Sequence, residues 1–365
     1  MPQLTHLTIR GFKSIRALEE FELRPLNVLI GPAGAGKSNF IDLFRMLRCV
    51  AEKRLQMFVA LGNRPKTILH DGVNATREIE VQITFGKNAY RFVLVPDGER
   101  LVFKEEEART LDERDSVAHS LGGGHDESRL EEIGAREEDG FSGYLREAVA
   151  GWRSYHLSDT SRESGMRSAG ETRDNLELHS DASNLVPFLR HLNERYPNHY
   201  RQIITMTRHV APFLEDFIYR EGKEEYVELE WLHAGNSKMT LGPRQLSDGT
   251  LRFIGLATVL LQPDHFAPGL MLIDEPELSL HPRAIALVAD MLKSTSETRQ
   301  IIVTTQSADL VSEMDPEDIV VVNRENGESL FDRLNREDLQ VWLEEDEYTL
   351  GDLWKMNTFG GCLSR

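Results

Sequence analysis

Cysteine is almost absent from this chain: Cys49 and Cys362 are the two among 365 residues, and their spacing suits no metal. This excludes a disulfide scaffold and fits a reducing cytoplasm. No apolar stretch approaches the ~18–20 residues of a membrane span. The N-terminus alternates polar and apolar residues and holds no signal-peptide core. The expectation is a cytoplasmic protein with no integral membrane segment. There is no heptad run of coiled-coil length, no internal repeat, no Cys-x-x-Cys, no His-Glu-x-x-His and no setting for a cysteine nucleophile. Positive charge is in short supply: 42 Lys and Arg stand against 60 Asp and Glu, a net charge of −18. Proteins that coat DNA gain affinity by displacing phosphate counterions and are basic. A large DNA-wrapping surface is therefore disfavoured, although a local basic groove is not. Forty per cent apolar and 28 % charged residues mark an ordinary globular protein, long enough for one large or two smaller domains.

What the chain does have is glycine at a meaningful spacing. Residues 31–38 read Gly-Pro-Ala-Gly-Ala-Gly-Lys-Ser, the phosphate-loop pattern G-x-x-x-x-G-K-[ST]. An apolar run, residues 26–30, precedes it, and residues 39–44 continue at helical spacing. Strand, glycine loop and helix are the context this motif requires. Gly31, Gly34 and Gly36 let backbone N–H groups turn around phosphates, and the helix that follows directs its N-terminal dipole at the same anion. Ala35 in the loop and Asn39 at the start of the helical run are further candidates to bind the nucleotide. Lys37 is placed to reach the β- and γ-phosphates, and the Ser38 hydroxyl to bind Mg²⁺. The ligand expected is ATP or GTP.

Three later segments indicate what the nucleotide is for. They are Gln245-Leu246-Ser247-Asp248-Gly249-Thr250-Leu251-Arg252-Phe253, then Met271-Leu272-Ile273-Asp274-Glu275-Pro276-Glu277-Leu278-Ser279-Leu280-His281-Pro282, and last Ile301-Ile302-Val303-Thr304-Thr305-Gln306-Ser307. In order and spacing the chain resembles ABC-type ATPases of the SMC/RecF/OLD branch. Within it, it is most similar to stand-alone bacterial ATPases that share the phrases LSDGTLRF, DEPELxLHP, TTQS and a C-terminal LGxLW…N…GG. The resemblance runs from Leu4 to the C-terminus and is weakest over 104–180. Each piece alone is unspecific; the combination is not.

The residues support this assignment physically. An apolar strand ends in two carboxylates: Asp274 to hold Mg²⁺ with Ser38, and Glu275 to polarise the attacking water as general base. Ser247 and Gly249 open a helix whose capping hydroxyl and unpaired N–H groups form a second anion site. The resemblance implies that this signature closes over the ATP of a partner protomer, giving a head-to-tail homodimer, or a higher even oligomer, with two ATPs at the interface. Two departures from the wider family stand out. Asp248 replaces a second glycine, and a carboxylate beside a γ-phosphate is unfavourable, so Asp248 is expected to point away. Gln306 replaces the switch histidine; glutamine can hydrogen-bond a phosphate but carries no proton at pH 7, which implies slow turnover. Lys13, in the turn 11–14, is a candidate to reach the nucleotide, with Arg16 as its alternative and plain solvent exposure as the competing reading. His281 is expected at the dimer interface rather than on a metal. No Q-loop is identifiable.

The expected fold is α/β: a P-loop NTPase with an ABC-ATPase-like mixed sheet flanked by helices and a compact helical insertion lobe. The expected parts are 1–104 (core with P-loop), 105–240 (acidic and helical lobe) and 241–365 (core with signature and acidic strand). Strands are expected at 3–10 and 19–25, one helix over 37–60, and a meander at 78–85, 88–96 and 99–104. Residues 104–139 hold thirteen Asp and Glu against five Lys and Arg and read as a solvated insertion. Fewer than 45 residues follow Val321, too few for the Toprim nuclease domain fused in OLD proteins. Effector chemistry is therefore expected from a separate nuclease or toxin chain, as the resemblance to anti-phage ATPases implies. The alternative is a RecF-like repair ATPase that binds DNA directly; a transporter ATPase fits less well.

Overall fold

The computed structural model describes residues 3–61, 64–110, 117–134, 141–219, 225–345 and 348–361. The chain packs as two compact units. One comprises residues 1–152, 315–348 and 353–365, and the other residues 153–314 and 349–352.

The first unit is built on an antiparallel sheet of six strands in the order Ile15–Glu22, His6–Phe12, Ile79–Phe85, Asn88–Asp97, Arg100–Thr110 and Val117–Gly122. Its inner face alternates, as a half-buried sheet must: Ile79, Val81 and Ile83 are fully buried. Leu26–Ile30 is different. All five of its residues are buried, and it pairs in parallel with Ile319–Glu325, which in turn pairs antiparallel with Glu328–Arg333. A strand covered on both faces calls for apolar residues, and its one polar member, the buried Asn27, donates to the Arg24 carbonyl at 2.6 Å. Helix Lys37–Ala51 follows the phosphate loop and buries Phe40 and Phe44. These rings join Phe21, Phe331 and Trp152, with centroids 5.3 to 6.1 Å apart.

Two expectations are revised here. The single helix over 37–60 is two helices, Lys37–Ala51 and Leu55–Ala60. Lys53 turns left-handed at φ 57, and the Glu127 carboxylate accepts from the backbone N–H of Leu55 at 2.7 Å and Gln56 at 3.0 Å. A cap supplied from 72 residues away starts the second helix, and no local propensity announces it. The acidic stretch is also less solvated than its composition implied. The strand Arg100–Thr110 continues through Glu105-Glu106-Glu107. Glu105 and Glu107 pair with Arg91 at 3.0 and 3.1 Å. Glu106 is fully buried and accepts from Tyr90 Oη and Ser128 Oγ, both at 2.6 Å, and from the Arg129 amide at 3.0 Å, with His125 Nε2 at 2.8 Å. Saturating a buried carboxylate with donors is what makes its burial tolerable. Glu137, Glu138 and Asp139 lie outside the described residues.

In the second unit, Leu270–Asp274 runs parallel to Gln300–Thr305 on one side and Arg153–Tyr155 on the other. Helices Asp248–Leu261 and Pro282–Ser296 bury apolar faces. Helices Leu185–Arg195 and Pro197–Val210, with the small antiparallel sheet of Leu214–Ile218, Glu230–His233 and Asn236–Leu241, make up the helical lobe. Among the described residues no helix is long and apolar enough to cross a membrane.

Candidate functional site

The phosphate loop lies wholly in the first unit and is shaped by its backbone. Gly31, Gly34 and Gly36 all have positive φ. Gly36 is closely hemmed in. Its φ is 117°, and a Cβ there would come within 2.0 Å of Ser329 Oγ and 2.8 Å of Ser14 Oγ. Those hydroxyls brace the loop: Ser329 Oγ donates to the Ala35 carbonyl at 2.6 Å and, with its one proton so placed, accepts from the Ser14 hydroxyl at 2.7 Å. Arg324 donates to the Gly34 carbonyl at 3.0 Å. Lys37 is buried and curls back, its Nζ donating to the carbonyls of Gly31 at 2.5 Å and Pro32 at 3.1 Å. Two carbonyls thus hold the buried ammonium within the loop. Ser38 is exposed at the head of the helix.

Lys13 and Asn39 line one polar cavity of about 510 Å³, together with Ser14, Lys66, Asp71 and Arg324. Asn39 Nδ2 donates to Ser14 Oγ at 2.7 Å. Lys13 sits in the left-handed region at φ 48 and pairs with Asp42 at 2.6 Å. Arg16 points elsewhere and pairs with Glu328 at 2.8 Å.

In the second unit two neighbouring strand ends meet side chain by side chain. Asp274 lies in register with Thr304, whose Oγ1 donates to its Oδ1. Glu275 follows in the left-handed region at φ 45, its N–H bound to the Thr304 carbonyl at 2.9 Å. A non-glycine residue held there is strained by about 1–3 kcal/mol, a cost met at functional positions. The strain turns Glu275 so that its Oε1 accepts from Gln306 Nε2. Thr305 Oγ1 donates at 2.6 Å to Glu277, which also accepts from the Gln306 amide at 3.3 Å. Glu277 is 7 % exposed, and burial pushes its carboxyl above the usual range. Thus Thr304, Thr305 and Gln306 serve Asp274, Glu277 and Glu275 respectively. Ser307 caps the next helix by accepting from the Leu310 amide at 3.3 Å. The pairing of the two phrases could not be read from either alone.

The strand Arg153–Tyr155 adds a residue that sequence reasoning missed. His156, one step beyond it, places Nδ1 3.7 Å from Asp274 Oδ2, while Nε2 meets Ser154 Oγ at 3.0 Å. A histidine after a short, unremarkable strand carries no signal of its own; the parallel register of Tyr155 with Ile273 brings it to the acidic end.

Ser247 caps the helix Asp248–Leu261, its Oγ accepting from the Thr250 amide at 3.1 Å. Gly249 is required by close approach: a Cβ would lie 2.4 Å from the Ser279 carbonyl, and Ser279 itself has φ 63. Arg252, 3 % exposed, donates to the carbonyls of Leu157 at 2.8 Å, Ser158 at 2.7 Å and Leu278 at 2.6 Å. Asp248 turns aside into an ion pair with Arg167 at 2.7 Å. His281 is exposed and caps the helix Pro282–Ser296, its Nδ1 accepting from the Arg283 amide at 3.3 Å.

A phosphate loop after a buried parallel strand, and an acidic strand end backed by a polar one, define an α/β P-loop ATPase with a mixed sheet, helices on its faces and a helical lobe. Solved structures share this fold. One is an Smc head bound to the C-winged helix domain of ScpA: 18 % identity and TM-score 0.55, over 93 % of this chain and 99 % of that one. Another is an Smc head with an extended coiled coil, bound to the C-terminal domain of ScpA derived from Pyrococcus furiosus: 16 % identity and TM-score 0.55, over 95 % and 100 %. No curated protein matches the chain. Residues 26–312 match the family described as "AAA domain, putative AbiEii toxin, Type IV TA system", so the chain belongs to that family. Its fold is the one seen in those Smc heads, and the AAA domain in the family's description carries nucleotide binding and ATP hydrolysis in general.

Proposed function

We propose that the chain binds ATP with Mg²⁺, associates head to tail around two ATPs, hydrolyses them slowly, and thereby controls a separate nuclease or toxin in bacterial anti-phage defence, in the cytoplasm. The observation that carries the ATPase part is the ladder of Asp274, Glu275 and Glu277 on Thr304, Gln306 and Thr305. It supports the reading of Asp274 as the cation ligand and of Glu275 as the base. In this reading the loop amides and Lys37 hold the phosphates, while Lys13 and Asn39 sit beside the nucleoside. Ser38 and Asp274 offer the hard oxygen donors that Mg²⁺ prefers, and the ion when bound neutralises charge on the phosphates. Glu275 takes the proton of the attacking water. Gln306 keeps Glu275 in place yet cannot carry a proton itself, which supports slow turnover. Functionally, 1–104 and 241–365 are the two parts of the core and 105–240 the insertion lobe.

Ser247 and Gly249 offer their helix N-terminus to the ATP of the partner protomer. The effector is inferred from the toxin system in the family's description, and a net charge of −18 favours a protein target over direct DNA binding. Sedimentation with and without ATP tests the core of the proposal. ATP is expected to convert monomers to dimers, and the Glu275→Gln variant to hold them there. A chain that hydrolyses ATP at full rate as a monomer would overturn it.

A further inference from the structure

An aspartate one step into a phosphate-facing helix is the oddest feature of the signature, and the residue that resolves it lies 81 positions upstream. Arg167 ends a one-turn helix, Gly165–Arg167, capped by Ser164. Its side chain is 6 % exposed, whereas that of Asp248 is 62 % exposed. The guanidinium is held from several sides: Nε donates to the Thr160 carbonyl at 2.9 Å, and NH1 to the carbonyls of Leu246 at 3.0 Å and Pro243. Pro243 and Leu246 flank the turn that leads into Ser247. The remaining arm, NH2, reaches Asp248 Oδ1 at 2.7 Å. The cation is therefore fixed by backbone, and the exposed carboxylate is the partner that adjusts to it.

We propose that Arg167 is a positioning residue for the signature: it turns the Asp248 carboxylate aside and cancels its charge, so that Ser247 and the helix N-terminus can accept the γ-phosphate of a partner protomer. The inference rests on the shared-site reading given above. An uncompensated carboxylate on that helix end would oppose an incoming polyanion at close range, where charge interactions are least screened. Pairing it with a rigid guanidinium, whose planar fork binds carboxylates well, leaves a neutral unit beside the capping hydroxyl. Glycine at 248 needs no such partner. The Arg167–Asp248 pair then does the work of a glycine while adding a bracket that ties the 160–167 segment to the signature turn.

The test is a two-residue cycle in the full-length chain, read as ATP-dependent association by sedimentation and as ATP affinity of the monomer by calorimetry. Arg167→Gln is expected to weaken association by about ten- to a hundredfold, the range for exposing one unpaired charge at an interface, while ATP affinity stays within about twofold. Adding Asp248→Gly to Arg167→Gln is expected to restore association to within a few-fold of the native chain, because the charge that needed cancelling is gone. A double variant as weak as Arg167→Gln alone would overturn the proposal and leave Arg167 as a loop brace. Asp248→Asn keeps every backbone contact of Arg167 and so does not depend on the other variants folding. It should associate at least as tightly as the native chain and with a steeper salt dependence. Weakening beyond about tenfold would also overturn the proposal. If the native chain fails to associate with ATP at all, the shared-site reading falls, and this inference falls with it.

Discussion

The phosphate loop of the first unit and the acidic strand end of the second are held by different means. Around the loop, partners bind main chain: Ser329 takes the Ala35 carbonyl, Arg324 that of Gly34, and Lys37 those of Gly31 and Pro32. At the acidic end, side chain meets side chain: Thr304 with Asp274, Gln306 with Glu275, and Thr305 with Glu277. A site made of backbone shape demands glycines at fixed spacing and so announces itself as a motif. A site made of side-chain pairs leaves each member looking like an ordinary polar residue.

Breaking each half should give different phenotypes. Lys37→Ala has the largest expected effect. It removes the buried ammonium from the loop, and ATP binding should fall below detection in a calorimetric titration; unchanged affinity would refute the loop assignment. Glu275→Gln should leave ATP bound but slow cleavage by about 10²–10⁴, the usual worth of a positioned base. Single-turnover kinetics would expose a base lying elsewhere as an unaltered rate.

Ser247→Arg tests whether the halves act across chains. It should spare ATP binding and abolish ATP-driven association and hydrolysis. Mixed with Lys37→Ala, it should regain no more than one composite site per dimer, visible as partial turnover of the mixture. Gly249→Ala probes packing and no charge. The new methyl must displace the Ser279 carbonyl, 2.4 Å away, so thermal unfolding should report about 1–3 kcal/mol of lost stability, the usual cost of overpacking. Smallest is Lys13→Ala. Lys13 is already paired with Asp42 at 2.6 Å, and partly exposed pairs contribute little. ATP affinity should drop by about two- to fivefold, and a hundredfold loss would make Lys13 a principal phosphate ligand.

The chain's order along the sequence made much of this legible. The buried run 26–30, the loop 31–38, the capped helix at Ser247 and the carboxylates after 270–273 each follow from local rules: continuous apolar residues for a covered strand, glycines for a turned backbone, a hydroxyl for an N-cap. The meander expected at 78–104 was readable for the same reason, since alternation survives wherever one face is wet, although its third strand runs on to Thr110. Tertiary structure decided what depends on distant partners. Glu127 breaks one expected helix into two by capping Leu55 and Gln56. Glu106 turns part of an acidic run into a buried cluster because Tyr90, His125 and Ser128 converge on it. His156 reaches Asp274 through the parallel register of two strands more than a hundred residues apart. Arg167 draws Asp248 into an ion pair from 81 residues away. Periodicity and motif record what a segment does to its own backbone, whereas a capping carboxylate or a long-range ion pair is written in two places at once, and only folding brings the two together.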